Sequence, residues 1–149
     1  MSIHRHIDEI QIRPLTVMAE AITIVEAIGE HILDQHSGQK NQRDYMTFLH
    51  MTMYIENHYA EKLKMEDIAH SGLVSRAKAY RLFEQYVRIT PNQYLLRYRI
   101  TKSSELLLDT TLSITDISEL CGFSSPGYFT SMFRREKGMS PREYRMAMS

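Results

Sequence analysis

Seven basic side chains fall between positions 75 and 102 (Arg76, Lys78, Arg81, Arg88, Arg97, Arg99 and Lys102), against one acid, Glu84. The whole chain balances 18 Lys and Arg against 18 Asp and Glu, and residues 1–43 lean the other way, with four basic and six acidic residues. Positive charge gathered on one stretch is what contact with phosphates requires, whatever the total. Arginine adds a second chemistry, because its planar fork can bond guanine O6 and N7 together in a major groove. Other chemistries find little support. Among the seven histidines, the pairs His4 with His6 and His31 with His36 lack a third ligand at metal-binding spacing, and Cys121 has no second thiolate to join it. No Ser-His-Asp order, glycine-rich phosphate loop or paired carboxylate in an apolar setting stands out, so neither catalytic residues nor a metal or cofactor are expected.

The elements that would hold such basic residues are legible around ITDISELCGFSSPGYFTSMFRREKGMSPREY. A short amphipathic helix at residues 114–120 stops at Gly122, and a second helix starts after Ser124-Ser125-Pro126 and is expected to carry Tyr128, Phe129, Met132 and Phe133 inward. Serine and proline there supply an N-cap oxygen and a preset φ, while glycine can take the left-handed conformation that ends the first helix. Two short helices joined by a tight turn make a helix-turn-helix. The pattern occurs earlier as well. Asp67-Ile68 recur as Asp116-Ile117 and Ser75 as Ser124, 49 residues on, whereas Phe83, Pro91 and Tyr94 recur as Phe133, Pro141 and Tyr144, 50 residues on. One residue is therefore inserted near the start of the second reading helix. A repeat of this period identifies the fold as a duplicated unit.

The run GFSSPGYFTSMFRREKGMSPREYR resembles the C-terminal signature of the AraC/XylS family of bacterial transcription regulators, and YIENHY, IAHSGLVSRAKAYRLF and TPNQYLLRYRI resemble the first half of the same domain. The resemblance covers about residues 45–145. It implies an all-α fold of about seven helices plus an N-terminal helix, with two helix-turn-helix subdomains of three-helix, homeodomain-like form joined by a long linker helix. It also implies binding of double-stranded promoter DNA, with the two reading helices in successive major grooves about 34 Å apart. RNA polymerase is the expected protein partner, and the bacterial nucleoid in the cytoplasm the expected location.

Within that frame the DNA-binding domain is expected over residues 44–149, with the first helix-turn-helix at about 65–88, the linker helix at about 91–108 and the second helix-turn-helix at about 114–138. Ala79, Leu82, Phe83 and Tyr86 pack the first reading helix down, which leaves Ala77, Lys78, Tyr80 and Arg81 toward bases. Arg81 stands where the family commonly has a base-contacting arginine. The second reading helix offers Ser125, Pro126, Gly127, Thr130 and Ser131; Ser131 replaces an arginine of many relatives, so this half reads bases weakly or through shape and water. Arg76, Arg99, Lys102, Arg134 and Arg135 are the expected phosphate contacts. Three positions depart from the family pattern: Leu73 stands at the usual turn glycine with Gly72 one residue early, Ala79 replaces a large apolar residue, and Arg88 stands at a helix-ending glycine. The small Ala79 leaves a void worth about 2 kcal/mol or more unless neighbours fill it.

Residues 1–43 read as a helical arm and polar linker, a remnant of a sensor or dimerisation domain. After Pro14, the residues Leu15, Met18, Ile22, Val25, Gly29 and Ile32 recur at alternating spacings of three and four. That stripe fits a homodimer seam or a helix lying against its own chain. SGQKNQRD, residues 37–44, reads as the linker. Family members usually carry a ligand-sensing domain ahead of the DNA-binding part, which forty-odd residues cannot hold, so the chain is either a short stand-alone regulator or a C-terminal piece. A helical adaptor that dimerises with a full-length regulator without reading DNA is the alternative function. One cysteine fits a reducing cytosol, and no run approaches the ~20 apolar residues of a membrane span.

Overall fold

The computed structural model describes Glu26, Ile28 and residues 38–149. The stripe Leu15, Met18, Ile22, Val25 and Ile32 lies outside the described residues; Glu26 and Ile28 are helical. Seven helices follow: α1 Gln39–His58, α2 Met65–Ser71, α3 Arg76–Val87, α4 Pro91–Asp109, α5 Ile114–Leu120, α6 Pro126–Lys137 and α7 Pro141–Met148. They divide into two compact units. The first holds α1, α2, α3 and α4 as far as Leu95; the second holds α4 from Leu96, α5, α6 and α7, together with the strip Tyr59–Lys62.

The first core forms because α1 places Phe48, Met51 and Ile55 on one stripe, and α2 and α3 close over it with Ile68, Ala69, Ala79, Leu82, Phe83 and Tyr86, all buried. Phe48 meets Phe83 edge-on at 5.0 Å and lies 5.1 Å from Tyr86. The second core joins Ile100 and Leu107 of α4 to Ile117, Cys121, Phe123, Phe129, Phe133 and Tyr144. Phe129 occupies the place in α6 that Ala79 has in α3, so the first unit carries its aromatic rings on α1 and the end of α3 instead. The repeat reaches ring geometry: Phe83 and Tyr94 meet at 5.6 Å and 74°, Phe133 and Tyr144 at 5.3 Å and 75°.

The caps repeat too. The Ser75 and Ser125 hydroxyls accept from the amides of Lys78 and Tyr128. Thr90 and Gln93 exchange backbone-to-side-chain bonds ahead of α4, and Ser140 and Glu143 do the same ahead of α7. The Ser140 amide and hydroxyl hold the exposed Glu143 carboxyl below the usual carboxylate range. Val74 donates to the Ala69 carbonyl and Phe123 to the Ser118 carbonyl, both at a spacing of five. The extra residue of the second repeat is therefore Ser124, inside the turn, and the true counterpart of Ser75 is Ser125.

Two expectations need correction. Residues 39–43 are not a linker: α1 starts at Gln39, with the Asn41 and Gln42 amides bonded to the Gly38 carbonyl. Beyond Gly38 the polar run contains no helix breaker, and it docks on the fold, since the Tyr86 hydroxyl donates to the Asn41 carbonyl at 3.5 Å. Tyr128 is 46% exposed. With Phe129 and Phe133 as the buried pair of α6, position 128 lies about 100° round the helix from Phe129 and faces outward.

Candidate nucleic-acid interface

α3 and α6 are each 12 residues long, capped by serine, and buried along one side only. On α3 the outward residues are Arg76, Ala77, Arg81 and Glu84, with Tyr80 half-buried beside them. Arg81 enters no ion pair among the described residues and keeps its fork free. Arg76 bonds Glu66 at 2.9 Å, with both side chains about 60% exposed (59% and 61%), a surface pair that contributes about 0–1 kcal/mol and can be exchanged for a phosphate.

Lys78 is placed differently from its neighbours. Its Nζ lies 2.8 Å from Oδ1 of Asp44, a carboxylate side chain only 11% exposed. Its charge is spent on α1, and a base contact from Lys78 would first have to break that pair. Asp44 ends the polar run 37–44, and nothing in the local sequence marks it as a partner for Lys78. The charge pairing becomes visible only once α1 is extended to Gln39.

On α6 the residues expected to face bases, Ser125, Pro126, Gly127 and Ser131, are exposed and Thr130 is half-buried. Tyr128 joins them, at the position where α3 has Lys78; an offset of 50 applied to the repeat would have found it. Arg134 and Arg135 are exposed in the last turn, Arg135 lying 3.7 Å from Glu136. The two remaining expected phosphate ligands sit on α4 and point to protein groups. Arg99 donates from Nε to the Tyr59 carbonyl at 2.7 Å and from Nη2 to the Glu61 carbonyl at 2.8 Å. Burial lowers its pKa from the ordinary arginine value, and the nearby Tyr128 and Cys121 oppose that. Lys102 bonds Glu105 at 3.1 Å and lies 5.7 Å above the Tyr98 ring; burial lowers its pKa, but the bond and charge of Glu105 together with Tyr98 and Tyr59 leave it raised.

The turns that aim these helices are held by left-handed backbone at matching places. Leu73 has φ 55° where Gly122 has φ 80°, and Arg88 has φ 59° where Gly138 has φ 78°. The departures seen in sequence are thus departures in residue type, with the backbone unchanged. Gly72 leaves room for Met51, since a Cβ there would lie 2.8 Å from Met51 Cγ.

A family model for a helix-turn-helix domain matches residues 68–147, just over half of the chain. The transcriptional activator RhaS of Enterobacter sp. (strain 638) is 32% identical over 137 residues, which are 92% of this chain and 45% of that protein. RhaS of Escherichia fergusonii is 38% identical over 96 residues, 64% of this chain and 34% of that one. The chain thus spans between a third and a half of the length of these curated relatives. A transcriptional regulator from Chromobacterium violaceum described by its AraC-type DNA-binding domain superposes with a TM-score of 0.66 at 35% identity, covering 69% of this chain and 92% of that one. The DNA-binding domain of the global transcriptional factor AdpA, solved in complex with a target DNA, gives 0.65 at 29% identity over 67% of this chain and 90% of that one. With the repeated turns, caps and reading helices, these matches show that the chain belongs to the AraC-type family of helix-turn-helix regulators.

Proposed function

We propose that this chain binds double-stranded DNA in a sequence-specific manner and regulates transcription, with α3 and α6 each entering a major groove. The observation that carries the reading is the pair of serine-capped, 12-residue helices, each buried on one side and open on the other. Arg81 is the base-reading fork of α3, with Ala77 and Tyr80 beside it; Ser125, Pro126, Gly127, Thr130 and Ser131 form the weaker reader. Arg76, Arg134 and Arg135 position the protein on phosphates. RNA polymerase and a second copy joined through Leu15, Met18, Ile22, Val25 and Ile32 are the protein partners of this reading.

The test starts from duplexes enriched out of a random-sequence pool by the full chain. On these, Arg81→Ala is expected to weaken binding by about 1–3 kcal/mol while leaving mixed-sequence DNA nearly unaffected. Arg135→Ala is expected to weaken every sequence alike and to lower the salt slope by about one. Equal losses on all sequences for both variants would defeat this division of roles. An adaptor that does not read DNA would show no duplex binding at any salt concentration.

A further inference from the structure

The strip Tyr59–Lys62 joins α1 to α2 in the chain, yet it packs within the second unit. Its carbonyls are occupied in succession. Arg99 takes those of Tyr59 and Glu61. Gly122 lies against those of Tyr59 and Ala60: a Cβ on Gly122 would stand 2.7 Å from the Tyr59 oxygen and 2.9 Å from the Ala60 oxygen. Gly122 is also the left-handed residue through which the chain leaves α5 for α6. The Tyr59 ring meets Tyr98 edge-on at 5.1 Å, which steadies the strip from the side of α4. The turn of the second helix-turn-helix thus rests on two backbone carbonyls of a strip that lies outside the residues matched by the family model.

We propose that Arg99 is a positioning residue for DNA binding: by clamping the strip it fixes the bed under the α5–α6 turn, and with it the angle at which α6 is presented. The inference rests on reading α6 as a DNA-facing helix. A planar guanidinium can span two carbonyls with two separate N–H vectors, which a lysine ammonium, a point charge on a flexible stem, does not reproduce. Nε and Nη2 are committed to those carbonyls, so the fork cannot grip a phosphate without releasing the turn. Gly122 completes the device, because any side chain there would lift the turn off its bed.

Hydrogen exchange of the full chain without DNA tests this directly. In Arg99→Ala, amides of residues 114–137 are expected to exchange at least about tenfold faster, in keeping with the loss of two charge-assisted bonds, while residues 65–87 keep their wild-type rates. Arg99→Lys retains the charge a phosphate contact needs, and is expected to follow the alanine variant. On a mixed-sequence duplex, the slope of affinity against salt is expected to be unchanged in Arg99→Ala, whereas loss of a phosphate ligand would lower it by about one. Unchanged exchange at 114–137, an equal rise at 65–87, wild-type rates in Arg99→Lys or a lowered slope would each overturn the proposal. If the wild-type chain bound no duplex at all, the proposed function would fall, and the exchange result would still stand or fall by itself.

Discussion

Replacing Leu73 and Arg88 with glycine is expected to stabilise the chain. Both residues hold a left-handed backbone, φ 55° and φ 59°, which costs a side chain bearing a Cβ about 1–2 kcal/mol. Neither side chain offsets that cost by burial: Leu73 is 86% exposed, and Arg88 is exposed as well. Glycine removes the clash but brings extra freedom to the unfolded chain, which returns about 0.4–1 kcal/mol. The net gain is about 0.5–1 kcal/mol at each site. The sites lie at opposite ends of α3, so the double variant gains roughly the sum.

The assay is urea unfolding with m held constant. For m of about 1–3 kcal/mol per molar, the double variant raises the midpoint by roughly 0.5 M or more. The second repeat supplies the reverse experiment. Gly138 has φ 78° and nothing within 4 Å of an added Cβ, so Gly138→Ala carries the conformational cost alone and loses about 1 kcal/mol. A loss at Gly138→Ala with no gain at Arg88→Gly would refute the idea that the strain at Arg88 is uncompensated. A drop in stability for Leu73→Gly at unchanged m would do the same for the turn.

Two further predictions concern buried groups of the second unit. Ser118 is fully buried, and its hydroxyl has no hydrogen-bond partner among the described residues; the first repeat has Ala69 there, so Ser118→Ala is expected to raise stability by about 1 kcal/mol, and a loss beyond about 0.5 kcal/mol would contradict it. Burial pushes the Cys121 thiol up to about 12, with Glu105 adding to that and Arg99 and Lys102 opposing it. Below the pKa of an unfolded thiol, about 8.5, both states hold the proton and the shift has no effect; above it only the unfolded chain releases one, so stability falls as pH rises toward 12. Wild type is expected to lose about 2 kcal/mol more than Cys121→Ala between pH 8 and pH 10, and equal losses would show that the thiol is not the group responsible. Iodoacetamide at pH 8 is expected to leave folded Cys121 unmodified.

The features most legible in the sequence were those set by local chemistry. Serine ahead of α3 and α6, glycine after α5, and apolar residues at spacings of three and four make the two helix-turn-helix pairs visible. The duplication at offsets 49 and 50 is visible because both copies must solve the same packing problem, down to the Phe83 with Tyr94 and Phe133 with Tyr144 pairs. What escaped was whatever depends on a partner distant in sequence. The start of α1 carries no apolar signal, and its order comes from Tyr86 reaching Asn41 and Lys78 reaching Asp44. Tyr128 reads as core in the sequence because it stands beside Phe129; only the phase of the helix, fixed by Phe129 and Phe133 together, turns it outward.

Charge counting shows the same limit more sharply. The excess of basic residues between positions 75 and 102 reads as one continuous phosphate-binding stretch, but a cation's position along the chain does not say which way it points. Lys78 faces Asp44, Lys102 faces Glu105, Arg97 lies 3.7 Å from Glu136, and Arg99 is bonded to carbonyls. Of the seven, Arg81 and Arg88 enter neither an ion pair nor a side-chain hydrogen bond among the described residues, and Arg76 has only an exposed pair. Each phosphate neutralised adds about 0.9 to the salt slope, so α3 and α4 contribute far less to that slope than seven cations would suggest. On the function proposed above, discrimination between sequences falls chiefly on the one fork, Arg81, that α3 holds open beside Ala77 and Tyr80, and the salt-independent part of binding on how firmly the turns present α3 and α6.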